Sequence, residues 1–157
     1  MTLSQDEIFM REALAEAKVA FALGEVPVGA VVVREGQIIA RGHNRREIDR
    51  LATAHAELLA MEAACRAIGS WRLSDCTLYV TLEPCPMCAG AILAARVGRV
   101  VYAAKDPVAG AMGSVLNLPR FPLGAHPQVE SGVLLEEARE LLQAFFRERR
   151  EKEVKEG

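Results

Sequence analysis

Apolar residues recur at helical spacing from Ile8 through Ala13, Leu14, Ala17 and Phe21, behind a Ser4–Glu7 capping box. Gly24 and Pro27 stop that pattern, so the chain is expected to open with an amphipathic helix. Val28 to Val33 and Gln37 to Ala40 are β-branched and apolar runs around Glu35-Gly36, which predicts an antiparallel hairpin ending in Gly42-His43-Asn44. After a charged loop, Thr53 is the expected cap of a second helix running to about Ala67, with Leu58, Met61, Ala64, Cys65 and Ile68 on its apolar side.

Cys76 to Leu82 reads as a third strand, and Pro86 suits the first turn of a helix reaching about Arg96, before a fourth strand at Arg99 to Ala103. A strand, a helix and a strand so closely spaced imply a parallel pair. Lys105 to Gln128 is rich in Gly and Pro, with a short helix expected at Ser114 to Leu118. A fifth strand at Val129 to Val133 and a final helix from Leu134 to about Arg150 complete the pattern, and residues 151–157 read as a frayed tail. The expected fold class is α/β: one domain over 1–157, with a mixed five-stranded sheet of hairpin plus parallel strands between helices on both faces, a three-layer α/β/α arrangement.

Composition narrows the functions open to such a domain. The 157 residues are 51% hydrophobic and 25% charged, which excludes a disordered tail or a collagen-like chain. A formal charge of −2 argues against a nucleic-acid coat and leaves local basic patches as the route to RNA. Asp6 and Glu7 stand where a secretory signal carries basic residues, and no apolar run is long enough for a bilayer, so a cytoplasmic protein with no membrane partner is expected. In that reducing setting Cys65, Cys76, Cys85 and Cys88 point to packing, metal or redox chemistry rather than disulfides.

Spacing separates the four. Cys65 and Cys76 lie in apolar elements and read as core residues, as do Met61, Met87 and Trp71. Cys85 and Cys88 form a Cys-x-x-Cys at a predicted helix start, and His55-Ala56-Glu57 stands at another. Cys-x-x-Cys alone also fits a redox pair or half of a structural zinc site. With a His-x-Glu it supplies two thiolates and one imidazole, three ligands that leave zinc a fourth position for water, as in catalytic sites. Neither His43 nor His126 suggests a fourth ligand. Glu57 is the candidate base, provided that His55 and Glu57, two apart in sequence, converge at the N-terminal end of the helix.

The chain resembles the tRNA-specific adenosine deaminases of the cytidine deaminase superfamily over nearly its whole length. The superfamily signature is carried by His55-Ala56-Glu57 and Pro84-Cys85-Pro86-Met87-Cys88. Closer likeness lies in Gly24-Glu25-Val26-Pro27-Val28-Gly29-Ala30, in Thr53-Ala54-His55-Ala56-Glu57, in Tyr79 to Cys85, in Gly110-Ala111-Met112-Gly113-Ser114, and in Phe145-Phe146-Arg147. The resemblance implies adenosine-to-inosine conversion at the wobble position of a tRNA anticodon, with zinc on His55, Cys85 and Cys88 delivering hydroxide to C6 and Glu57 shuttling protons.

The resemblance further implies that Asn44 orients the nucleoside, that Val28 lines the pocket, and that the backbone at Ala54 and Glu83 touches the base. Asp106 would lie near the sugar, although on local grounds it is a turn residue before Pro107, as Asn44 is a turn residue after the hairpin. Lys105, Arg120, Arg147, Arg149 and Arg150 are candidates for a basic rim and Phe146 for a base contact, and a homodimer is implied. Arg50-Leu51-Ala52, Val108 and His126-Pro127-Gln128 depart from the family pattern, all in segments that bear on RNA rather than metal. A deaminase of a free base or nucleotide, a zinc-stabilised binding module and a redox protein are the alternatives.

Overall fold

The computed structural model describes residues 4–156. Helix α1 spans Gln5–Ala22, and the Ser4 hydroxyl accepts the Glu7 N–H at 3.1 Å, which satisfies one of the free donors of the first turn. Strands β1 (Gly29–Arg34) and β2 (Gln37–His43) form the expected hairpin. Its connecting residues Glu35 and Gly36 have φ of 52° and 76°, the left-handed pair of a type I′ turn that matches strand twist. A short helix α2 (Arg46–Asp49) occupies the charged loop, followed by α3 (Ala56–Ile68), β3 (Cys76–Leu82), α4 (Pro86–Ala94), β4 (Arg99–Ala104), β5 (Gln128–Ser131) and α5 (Leu135–Glu156).

The sheet has the order β2-β1-β3-β4-β5, antiparallel up to β3 and parallel from β3 to β5. Its faces alternate along each strand. Ala30, Val32, Leu78, Val80 and Val100 pack with Ala56, Ala60, Ala64, Ala89 and Ile92 under α3 and α4. Val31, Val33, Tyr79, Val101 and Ala103 pack with Phe9, Met10, Ala13 and Ala138 under α1 and α5. This is the expected mixed five-stranded sheet with helices on both faces.

Two glycines let helices sit close on the hairpin. A Cβ at Gly29 would stand 2.1 Å from the Ala13 carbonyl oxygen, and one at Gly42 would stand 2.7 Å from that of Ala56. The second approach brings the start of α3 against the end of β2, and so brings His55 and Asn44 to the same edge of the sheet.

Local departures have identifiable causes. The Ser114–Leu118 helix is absent: Met112 and Asn117 form an isolated bridge instead, and a 3-10 turn follows at Leu118–Arg120. Thr53 does not cap α3, because His55 takes that position with φ −84° and ψ 150°. The fifth strand begins and ends one to two residues earlier than expected, α4 stops at Ala94, and α5 continues past Arg150 to Glu156. Trp71 and Met87 are not core residues. Trp71 is 59% exposed with the Arg72 guanidinium 5.0 Å above its ring, while Cys76 is buried and Cys65 packs partly buried against the α3–α4 core.

Candidate active site

The end of β2, the starts of α3 and α4, and the loop after β4 enclose a cleft of about 480 Å³. His55 and Cys85 are the N-caps of α3 and α4, in extended backbone, and neither side chain makes a capping hydrogen bond. Each is therefore free to turn beyond the helix end, where the helix dipoles favour negative charge. His55 Nδ1 lies 3.7 Å from Cys85 Sγ and 3.5 Å from Cys88 Sγ. All three donor atoms lie within 4.8 Å of one another, a cluster able to hold a metal ion.

No other His, Cys, Asp or Glu joins this cluster among the described residues. The His43 Nδ1 pairs with Glu16 at 3.0 Å, and the His126 Nδ1 with the Pro119 carbonyl at 2.9 Å. Glu57 is not a member of this donor set but lines the same cleft, its carboxyl in hydrogen-bond contact with the Cys88 thiol, and its residue is only 4% exposed. The spacing of His55 and Glu57 raises no conflict. His55 precedes the helix and reaches the cleft from non-helical backbone, while Glu57 reaches it from the first turn.

The electrostatics suit metal binding and proton transfer. A hydrogen bond with the Cys88 thiol, assisted by one with His55, pulls the Cys85 thiol down to about 4. The same Cys85 partner, together with burial, pushes the Cys88 thiol upward. The hydrogen bond to Cys85 raises the His55 imidazole. Burial raises the Glu57 carboxyl, the direction expected of an acid that must be able to carry a proton near neutral pH.

Val28, Asn44, Glu83, Lys105, Asp106 and Phe146 also line the cleft. Asn44 Nδ2 donates to the Val26 carbonyl at 3.3 Å and Oδ1 accepts the Arg46 N–H at 3.1 Å, which fixes the amide while leaving one hydrogen and one lone pair. Asp106 Oδ1 accepts the N–H groups of Val108 and Ala109, so its local turn role and its place on the cleft coexist.

Ala54 and Arg147 do not line the cleft. Ala54 is buried, and its carbonyl accepts the Arg45 N–H at 3.0 Å, so its backbone acceptor is used within the chain. Arg147 borders a shallow depression on the outer end of α5 with Arg150 and Lys155. Arg149 lies over the Phe145 ring at 5.5 Å, and Arg120 is the exposed last residue of the 3-10 turn; neither joins a rim around the cleft. Sequence reading missed Val26, Arg46, Leu82 and Leu142, which line it too. Val26 and Leu82 belong to the family-like segments quoted above, whereas Arg46 and Leu142 carry no motif and reach the cleft only through the folded placement of α2 and α5.

Comparison with known proteins places this architecture. The MafB19-like deaminase family model matches residues 4–150. The tRNA-specific adenosine deaminase of Bacillus subtilis (strain 168) is 54% identical over 151 residues, covering 96% of this chain and 94% of that protein. A solved structure from work on A-to-I editing by tRNA:A34 deaminases at the wobble position superposes with TM-score 0.83 at 46% identity, over 86% of this chain and 99% of that one. The guanine deaminase of Nitrosomonas europaea superposes with TM-score 0.74 at 27% identity, over 92% and 86%. The His55, Cys85 and Cys88 cluster beside a buried Glu57 thus sits in a matching fold and sequence, and the chain belongs to the MafB19-like deaminase family.

Proposed function

We propose that the protein deaminates adenosine to inosine at the wobble position of a tRNA anticodon, with one zinc ion per chain. The observation that carries this is the pairing of a His/Cys/Cys donor set with a buried glutamate, outside that set, on the wall of the same cleft. Zinc fits the donors: bond lengths of about 2.3 Å to sulfur and 2.0 Å to nitrogen hold tetrahedral ligand atoms about 3.5 Å apart. The observed 3.5 and 3.7 Å separations agree. Bound there, zinc supplies the Lewis acidity that makes water a nucleophile at neutral pH.

The remaining steps belong to the chain. Val28, Val26 and Leu82 give a flipped base an apolar slot, and the spare donor and acceptor of Asn44 orient it. Glu57 takes a proton from the attacking water, passes it to the ring nitrogen N1, and carries the second to the departing exocyclic nitrogen. Adenosine and water become inosine and ammonia. Phe146 on the cleft rim offers a stacking face to a neighbouring base, and Lys105 a charge for the backbone. Arg147 and Arg150 meet phosphates farther out along α5.

The similarity to relatives named for tRNA supports the RNA substrate, and this reading places the enzyme in the cytoplasm with its tRNA. Among the described residues no helix is long and apolar enough to cross a membrane. A homodimer is part of the proposal. Leu58, Met61, Cys65, Trp71, Ala91 and Ala95 line an open apolar groove between α3 and α4, a surface suited to a second copy, and light scattering tests it.

A second reading, deamination of a free purine, draws on the likeness to the guanine deaminase structure. One experiment separates the two. The protein is incubated with a transcribed arginine tRNA anticodon stem-loop and, in parallel, with free bases and nucleosides, and inosine and ammonia are measured. Inosine in the stem-loop is expected; ammonia from the free compounds alone would overturn the tRNA substrate.

A further inference from the structure

Glu83 follows β3 directly and is 2% exposed, yet it has no cationic partner among the described ion pairs. A buried carboxylate of this kind persists only if its lone pairs are filled. They are filled by a single stretch of chain. Oε1 accepts the Asp106 N–H at 3.2 Å and the Ser114 hydroxyl, and Oε2 accepts the N–H groups of Met112 at 3.0 Å and Ser114 at 3.1 Å. Gly110 completes the fit, since a Cβ there would stand 2.5 Å from both the carboxylate and the Asp106 carbonyl oxygen.

The anchor points fall on either side of the segment that faces the cleft. Between Asp106 and Met112 lie Pro107, Val108 and Ala109, all lining it, with Val108 84% exposed at its lip. Glu83 is also next to Pro84, whose carbonyl accepts the Ala111 N–H at 2.9 Å, and Cys85 comes immediately after. One side chain thereby ties the outer wall of the cleft to the turn that carries the metal-ligating cysteines.

We propose that the Glu83 carboxylate is a positioning residue: it holds the Lys105–Ser114 loop at the distance from the reaction centre that the RNA strand requires. It acts on substrate binding through that loop and not on the bond-breaking step, a role that rests on the RNA deaminase reading above. Its isostere glutamine would present an N–H₂ group to backbone N–H donors, releasing the loop without changing side-chain volume.

The test compares the zinc-loaded protein with Glu83→Gln and Gly110→Ala, the second variant disturbing the same contact from the loop side. Expected for both is a KM for the stem-loop raised about tenfold with kcat kept within about threefold. Zinc should stay at about one per chain, and the amides of Asp106, Met112 and Ser114 should lose hydrogen-exchange protection while those of Thr77 to Leu82 keep it. The double variant should be no worse than the poorer single one, because both changes release one loop. Should Glu83→Gln fail to fold, Gly110→Ala and Ser114→Ala decide by the same readings. A KM that stays put while the loop amides exchange faster would overturn the proposal alone, as would a fall in kcat as large as the rise in KM with zinc retained. A wild-type protein inert towards the stem-loop would instead remove the reading on which it rests.

Discussion

His55 Nδ1 lies 3.5 Å from Cys88 Sγ although 33 residues separate them, because α3 and α4 both begin at one edge of the sheet. Their meeting divides the site into side chains placed to hold an ion and a carboxyl outside that set, and the two groups are expected to respond differently to mutation.

Glu57→Ala is expected to lower kcat by at least about 10²- to 10⁴-fold, the usual worth of a placed acid–base group. Metal analysis should still find about one zinc per chain, since on the proposed reading three other side chains are the ligands. Retention of most activity would sink the proton-shuttle role.

Removal of the metal should act on stability as well as on rate. Folded-state binding at free metal a thousandfold above its Kd contributes about 4 kcal/mol, so a chelator should lower the melting temperature and zinc should restore it. His55→Ala should abolish that zinc-dependent shift. In the chelated protein at neutral pH, iodoacetamide should label Cys85, whose thiol is pulled down to about 4, and spare Cys76, which burial pushes up to about 11.

A pH-dependent staple lies at the opposite end of the strands. Asp6 accepts two bonds from Arg99 at 2.7 and 2.9 Å and one from the Tyr79 hydroxyl at 2.6 Å. The Arg99 guanidinium in particular holds the Asp6 carboxyl below its ordinary 3.8. The folded value is depressed, so the stabilisation is present above the unfolded pKa and is lost as pH falls through the folded one. Urea unfolding from pH 6 to pH 2.5 should show Asp6→Asn less stable by about 1–2 kcal/mol at the upper end and converging with wild type at the lower.

The close seat of α1 on β1 makes Gly29→Ala costly. Its methyl would need the Ala13 oxygen and the Ala17 nitrogen, 2.1 and 2.3 Å away, to retreat, and both are helix backbone. A loss of about 3 kcal/mol or more, or failure to accumulate folded protein, is expected by thermal melting.

The metal donors were legible in the chain because their chemistry demands both residue type and spacing, and the sheet because its β-branched runs alternate between two buried faces. Other features depended on longer-range packing. Trp71 was expected inside on hydrophobicity alone, but it follows the end of α3, beyond the packed faces. The Ser114–Leu118 segment has the composition of a helix turn, and the Glu83 carboxylate instead captures its N–H and hydroxyl donors. Arg147 shares a helix with Phe146, yet a 100° step around that helix sends one to the cleft and the other to the outer depression.

The seating of His55 and Cys85 as helix caps against the core has an evolutionary corollary. One part of the cleft wall, Lys105 to Ala109, is instead a loop after β4, and Val108 at its lip is exposed. Drift at that lip is expected to alter what the cleft admits sooner than it alters the donor cluster.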